Sequence, residues 1–297
     1  MTISDPTVGH FEELPDRSSL FARTLRFLRK QPLGSAGLMI VLLMIAMAVF
    51  APYLSVEDPE ANAFQNMFLA PGAQHLLGTD EFGRDVLTRT MYGAQTALFV
   101  GLTSAFIGST IGLFIGVASA FFGGRFDLIC QRIIDVFMAF PIIIMALAIV
   151  SILGTATHNV ILAITLPFIP KCARVVRASA LSIREIPYID AARANGFSNT
   201  RIIIRHMVPN VMAPYLIVLT AAVGQAILLE ASLSFLGLGV QEPTPAWGLM
   251  LRNAQEFMES APWVAIWPGF AITLAVFGFN MFGDAVRDAL DPRLRSQ

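Results

Sequence analysis

Residues 136–170 read VFMAFPIIIMALAIVSILGTATHNVILAITLPFIP, 35 positions without an Asp, Glu, Lys or Arg. A hydrocarbon core about 30 Å thick is crossed by roughly 20 apolar residues of helix. At about 1.5 Å per residue, a single helix of this length would run roughly 52 Å. The run must therefore turn back. The small and polar residues Gly154, Thr155, Ala156, Thr157, His158 and Asn159 mark the place. This stretch alone predicts two crossings, at 133–153 and 157–178.

Four more charge-free runs, 31–56, 90–124, 207–229 and 260–283, flank it. They predict spans at 33–54, 94–121, 209–237 and 262–283, which makes six. The composition agrees: 55% of residues are hydrophobic and 14% charged, against about 25% charged in a soluble domain. Disorder is excluded, since it needs low hydrophobicity and a large net charge, and the formal net charge is −1. Two cysteines exclude a disulfide scaffold.

Basic residues set the expected orientation. Of 20 Lys and Arg, 17 fall before the first span, between the second and third, in 171–205, or in the tail; only Arg84, Arg89 and Arg252 fall on the other side. Both termini are therefore expected in the cytoplasm. The layout is a cytoplasmic segment 1–32, a first span 33–54, an extracytoplasmic segment 55–93, a core 94–283 with five further spans, and a cytoplasmic tail 284–297. The first 32 residues hold four acids and precede a run long enough to span, so the first span reads as a retained anchor, not a cleaved signal. Cys130 and Cys172 both fall on the cytoplasmic side, where a disulfide is not expected. In the fourth span Lys171, Arg174 and Arg177 lie three apart on one helical face and are expected to snorkel toward the headgroups.

Helix packing leaves its own signature. Ser104, Gly108, Gly112, Gly116 and Ala120 recur every four residues, a stripe of small side chains that admits close approach by another helix. That helix belongs either to this chain or to another membrane subunit. Glu230 is the one carboxylate deep in an apolar run. It must face a partner group, a cavity or the wet interface. Gln225 and Asn280 are further intramembrane polar groups, readable as pathway residues or as interhelical glue. Trp247, Trp263 and Trp267 read as an aromatic belt. His75 and His158 read as ordinary interfacial or loop residues, and no His or Cys spacing suits a metal.

Residues 179–210 read SALSIREIPYIDAARANGFSNTRIIIRHMVPN. Pro187 suits the start of a short helix and Gly196 its C-terminal cap. Ser198 or Asn199 can cap a second helix up to Pro209. Two short helices meeting at a glycine make a knuckle, which the alanines keep flat enough to enter a groove on another protein. Composition alone also fits an ordinary basic loop along the membrane.

The spacing of this segment resembles the EAA motif of ABC importer permeases, E-A-A-x3-G-x9-I-x-L-P. Asp190 takes the Glu position, Ala191, Ala192 and Gly196 match, and Pro209 falls at the terminal Pro; His206 and Val208 replace the usual Ile and Leu. Three more stretches look like the dipeptide/oligopeptide/nickel permeases: HLLGTDEFGRDVLTRTMYG at 75–93, AILLEASLSFLGLGV at 226–240 and GDAVRDALDPRLR at 283–295. The similarity covers roughly 30–295, and within that family the chain resembles the C-type subunit.

The resemblance implies an all-α membrane protein, six transmembrane helices with cytoplasmic coupling helices, similar to type I ABC importer permeases. It implies half of a translocation pathway in the bacterial inner membrane. Di- and oligopeptides are the first expectation for the solute, beside nickel chelates and sugars. The implied partners are a second homologous permease as a heterodimer, two ATPase subunits, an extracytoplasmic binding protein and the lipid bilayer, with no nucleic acid. Asp190, Ala191, Ala192, Gly196 and Pro209 would dock in the ATPase. This chain would bind no cofactor, ATP and Mg residing on the ATPase subunits. It holds no P-loop, which needs GxxxxGK[ST], since Lys30 and Lys171 follow Arg29 and Pro170. The acidic segment 75–93 is expected to dock the binding protein, to form a folded cap, or both. An ion-coupled secondary transporter is the competing reading. It would want several intramembrane ionisable groups and an internal repeat, and only Glu230 qualifies. A channel would want a polar filter ring, and an enzyme a nucleophile–base pair or metal cluster. Neither is evident in the sequence.

Overall fold

A computed structural model describes residues 32–55 and 57–290. The basic residues before the first span, and Arg293 and Arg295 of the tail motif, lie outside the described residues. Among the described residues the architecture is all-helical apart from one isolated bridge, Thr79 to Asp85. Helix α1 is Pro32–Leu54, α2 is Val86–Phe122, α3 is Gly124–Met138 and α4 is Ile142–Leu153. Helix α5 is Thr157–Arg184, α6 is Pro187–Ala194 and α7 is Asn199–Ile202. Helix α8 is Met212–Phe235, α9 is Trp247–Ala254 and α10 is Trp263–Leu290.

The predicted third span is not one helix. Between α3 and α4 the chain bends by 88°. Pro141 has no N–H, and its ring disfavours helical geometry at Phe140 before it. The remaining twelve-residue α4 is only about 18 Å long, short of a full crossing. Helix α2 begins at Val86 and not near 94. The Asp85 carboxylate accepts the Thr88 N–H at 2.7 Å and caps it.

The second helix of the 179–210 segment does not stop at Pro209 either. Helix α7 passes through a π turn, Ile203–Met207, and a 3-10 turn, Val208–Val211, straight into α8. A proline inside a regular helix would clash with the carbonyl four residues earlier, and the widened turn absorbs it.

Helices α2 and α5 form the spine, and the small-residue stripe explains how. A Cβ on Gly108 would sit 2.7 Å from the Thr165 carbonyl oxygen, one on Gly112 2.6 Å from that of Ile169, and one on Gly116 2.5 Å from that of Ala173. Ser104 Oγ donates to the Ile161 carbonyl, 57 positions on. Each pair keeps the same offset, so the helices run parallel and interlock turn for turn. The stripe thus lies against α5 of the same chain.

Two ends can be distinguished, a cap end and a knuckle end. At the cap end, residues 57–85 fold over the bundle around buried charges. Asp80 Oδ1 accepts from the backbone N–H groups of Phe82 and Arg84, both at 2.9 Å, and Oδ2 accepts from Arg84 Nε at 2.7 Å. Arg84 also donates to Glu242 at 2.9 Å, and Arg89 donates to the Pro59 carbonyl at 2.7 Å. His75 lies in a bend of this loop, as expected, but it is buried and 3.2 Å from the Asp85 carboxylate, so the loop is part of the cap.

One of the three tryptophans, Trp247, is not a belt residue. Trp247 is fully buried and donates its indole N–H to the Thr90 carbonyl at 2.9 Å, and Trp263 donates to the Thr79 carbonyl at 3.2 Å. Both pin the cap to the bundle.

Candidate functional site

The knuckle is built from residues 186–211. Helix α6 starts with Pro187 at its first turn and ends in a Schellman motif. The Phe197 N–H reaches back to the Ala192 carbonyl at 3.1 Å and the Gly196 N–H to that of Arg193 at 2.9 Å. This closure needs a left-handed residue, and Gly196 supplies it with φ +75°. A Cβ there would meet nothing within 4 Å, so Gly196 projects into open space.

Helix α6 divides its faces. Ile189 and Ala192 are buried with Ile202, Met207 and Val211 against the ends of α2 and α5. Asp190, Ala191, Gly196 and Pro209 are exposed. Asp190 accepts one hydrogen bond, from Arg193 at 3.1 Å. Four of the five residues picked for docking therefore share the outer surface, while Ala192 anchors the helix from beneath.

Sequence reading missed the tie between knuckle and span. The His206 carbonyl lies in the π turn. It accepts from Tyr188 Oη at 3.0 Å and from Asn210 Nδ2 at 2.6 Å. Asn210 Nδ2 also reaches Tyr188 Oη at 2.9 Å. The His206 ring stacks on Phe197, which in turn lies under the Arg201 guanidinium at 3.9 Å. These contacts fasten α6 to the root of α8. The signal that could have found them is Pro209 itself, which frees carbonyls one turn earlier.

Helix α3 is clamped beside the knuckle. Arg177 donates twice to Asp127, at 2.6 and 2.5 Å, and Arg174 pairs with Asp135. Both arginines are thus held by carboxylates of α3, not simply snorkelling. Lys171 takes a different partner, donating to Gln225 Oε1 at 2.9 Å.

The other intramembrane polar groups separate. Glu230 is fully buried, so it is not wet at an interface. Its Oε1 accepts from Ser234 Oγ at 2.7 Å, while Oε2 has no partner. Asn280 is exposed on α10, its Oδ1 3.2 Å from where a Gly224 Cβ would stand. Gln225, Glu230 and Asn280 do not converge. At the cap, burial, reinforced by neighbouring Asp80, holds the Glu81 carboxyl above the ordinary glutamate value. Burial alone would weaken the Arg84 charge, but Asp80 and Glu242 more than restore it and push its pKa up. Among the described residues no group of three or more His, Cys, Asp or Glu could hold a metal ion.

A model of the binding-protein-dependent transport system inner membrane component family matches residues 108–296, which include the stripe from Gly108 on, the knuckle and α8. The chain belongs to this family. It is a permease subunit of an ATP-binding-cassette importer, non-catalytic, with ATP hydrolysis assigned to a separate chain. Residues 19–71 match the N-terminal TM domain of oligopeptide transport permease C. The permease is 45% identical over 273 residues to the dipeptide transport system permease protein DppC of Alkalihalophilus pseudofirmus, covering 91% of this chain and 88% of that one. It is 42% identical over 272 residues to the glutathione transport system permease protein GsiD of Escherichia coli, covering 91% and 89%. In fold it resembles a chain of the inward-facing MetNI methionine ABC transporter, with a TM-score of 0.54 and 20% identity over 67% of this chain and 94% of that chain. That likeness carries the type I importer permease fold. The ion-coupled alternative finds no support in these relatives.

Proposed function

We propose that this permease imports small peptides, di- or oligopeptides, as one half of a heterodimer with a homologous permease chain. The functions of its relatives and the match to an oligopeptide permease domain support the peptide class. Two ATPase subunits, carrying ATP and Mg, drive the pair, and one of them grips the knuckle. The single observation behind this is the division of α6: Asp190 and Ala191 face outward while Ile189 and Ala192 are rooted in the helix-end core. A push on the outer face is thereby transmitted to α2, α5 and α8 as a rigid-body movement.

The basic-residue asymmetry supports an orientation with the knuckle and both termini on the cytoplasmic side, and the family match supports the bacterial inner membrane. The cap then faces outward, toward the binding protein. The experiment is peptide uptake by the assembled transporter with Asp190→Lys or Gly196→Trp. Asp190 is exposed and makes only the Arg193 hydrogen bond, whereas Gly196→Trp also strains the left-handed cap, so copurification of the subunits is the control that separates lost coupling from lost folding. Uptake should fall by about tenfold or more, the scale of losing one charge-assisted contact, while the subunits still copurify. Uptake at the parent level in both variants would remove the coupling role.

A further inference from the structure

Lys171 places an exposed ammonium where a lipid face would not tolerate one. It lies about 21 Å along the 28-residue α5 from Thr157, within the helical body of the bundle and not in a loop. Gln225 lies about 20 Å along α8 from Met212. The two side chains meet at 2.9 Å, and both are exposed. Ionisable groups at such depth face a bundle interior or a water-filled cavity.

The surrounding surface agrees. On α8 the exposed positions Ala221, Gln225 and Leu228 follow one face, as do Lys171, Arg174 and Ala178 on α5. Apart from Leu228, the side chains of the strip are small or polar. The exposed face of α1 is instead Met39, Leu42, Leu43, Val49 and Phe50, the composition of a lipid contact. Charge on the strip is uneven. Arg174 is neutralised by Asp135. Among the described residues Lys171 meets no carboxylate, and Gln225 occupies one of its three N–H donors.

We propose that Lys171 and Gln225 form a carboxylate subsite on the translocation path, which receives the C-terminal carboxylate of a peptide in transit. This rests on the peptide reading above. The ammonium and the Gln225 carboxamide N–H both offer donors to such an anion. A flexible point charge holds it without the bidentate grip of an arginine, and conduction needs binding weak enough to release.

The test uses the assembled transporter with its binding protein in proteoliposomes, in a Cys130→Ala, Cys172→Ala background. Gln225→Cys is labelled with a sulfonate-bearing thiosulfonate and with its trimethylammonium counterpart. Relative to a free thiol, the anionic reagent should be favoured about tenfold, and Lys171→Met should abolish that preference. Absence of labelling by either reagent, or a ratio unchanged by Lys171→Met, overturns the subsite. A second arm follows uptake of radiolabelled alanyl-alanine. Lys171→Met should lower it about tenfold and Lys171→Arg restore most of it. ATPase activity stimulated by loaded binding protein should persist in both, a readout that a misfolded subunit would lose. Uptake by Lys171→Met at the parent level overturns the carboxylate role. If the parent itself takes up no di- or tripeptide, the peptide reading falls and takes the C-terminal carboxylate with it. The labelling ratio then still decides whether an anion-attracting subsite exists.

Discussion

Arg84 and Glu242 stand 158 positions apart in sequence and 2.9 Å apart in space. The pair joins the segment before α2 to the connection between α8 and α9. Asp80 holds the other side of the same guanidinium. The cap therefore closes by charge pairing in a place where side chains are shielded from water, and its stability should depend on every partner being present.

Arg84→Ala removes the nearer of two arginines from the buried Asp80 carboxylate and leaves it only Arg89, at 3.6 Å. Breaking a buried pair from one side costs about 3 kcal/mol, so the thermal midpoint of the purified complex should drop markedly. Glu242→Gln should cost less, because the Glu242 side chain is 35% exposed and its charge stays partly solvated.

Glu81 gives a pH signature. Its folded-state pKa is raised by burial and by Asp80, so the folded cap binds the proton more tightly than the unfolded chain. Stability from this group is greatest below the ordinary glutamate value and is lost as pH rises through the raised one. Glu81→Gln should therefore raise the thermal midpoint at neutral pH, with the gain disappearing as pH falls below the ordinary value. A midpoint gain of the same size at all pH values would contradict it.

Gly112→Ala should be costly although alanine is the better helix former. Its methyl would stand 2.6 Å from the Ile169 carbonyl oxygen, a backbone atom that cannot swing aside. Overpacking of this kind costs about 1–3 kcal/mol. Gly72→Ala is the control, since its nearest neighbour is 3.7 Å away, and should leave yield and melting unchanged.

Tyr188→Phe and Asn210→Ala each remove a hydrogen bond to the His206 carbonyl. Either alone should cost about 1 kcal/mol. Together they leave that carbonyl with neither side-chain donor, so the double variant should lose more than the sum. A double-mutant cycle on thermal midpoints reads the difference, and additive losses would show that the two do not share the carbonyl.

The five apolar stretches were legible because lipid imposes a simple rule: gaps in charge long enough to cross. The rule is blind to direction changes within a gap. Pro141 sits inside 136–170 without altering its hydropathy, yet it splits the third span into α3 and α4. The rule also misjudges where a helix begins when charge is buried. Arg89 seemed to bound α2 from water, but it is enclosed with Asp80 and Glu242, and the helix runs past it to Asp85. Trp247 looked like a belt residue because composition cannot see the Thr90 carbonyl that claims it. The knuckle was read more fully, since Pro187 and Gly196 act locally through φ. What local chemistry could not reveal was the Tyr188–His206–Asn210 tie, which joins residues 22 positions apart.

The fixed 57-position offset between α2 and α5 constrains how a gate of this kind can work. Two rods toothed together along four turns cannot slip by a fraction of a tooth, because every glycine would meet a side chain at once. They must tilt as one beam. Whatever yields during a transport cycle has to lie outside that beam, and the bend before Pro141 is a joint the chain provides.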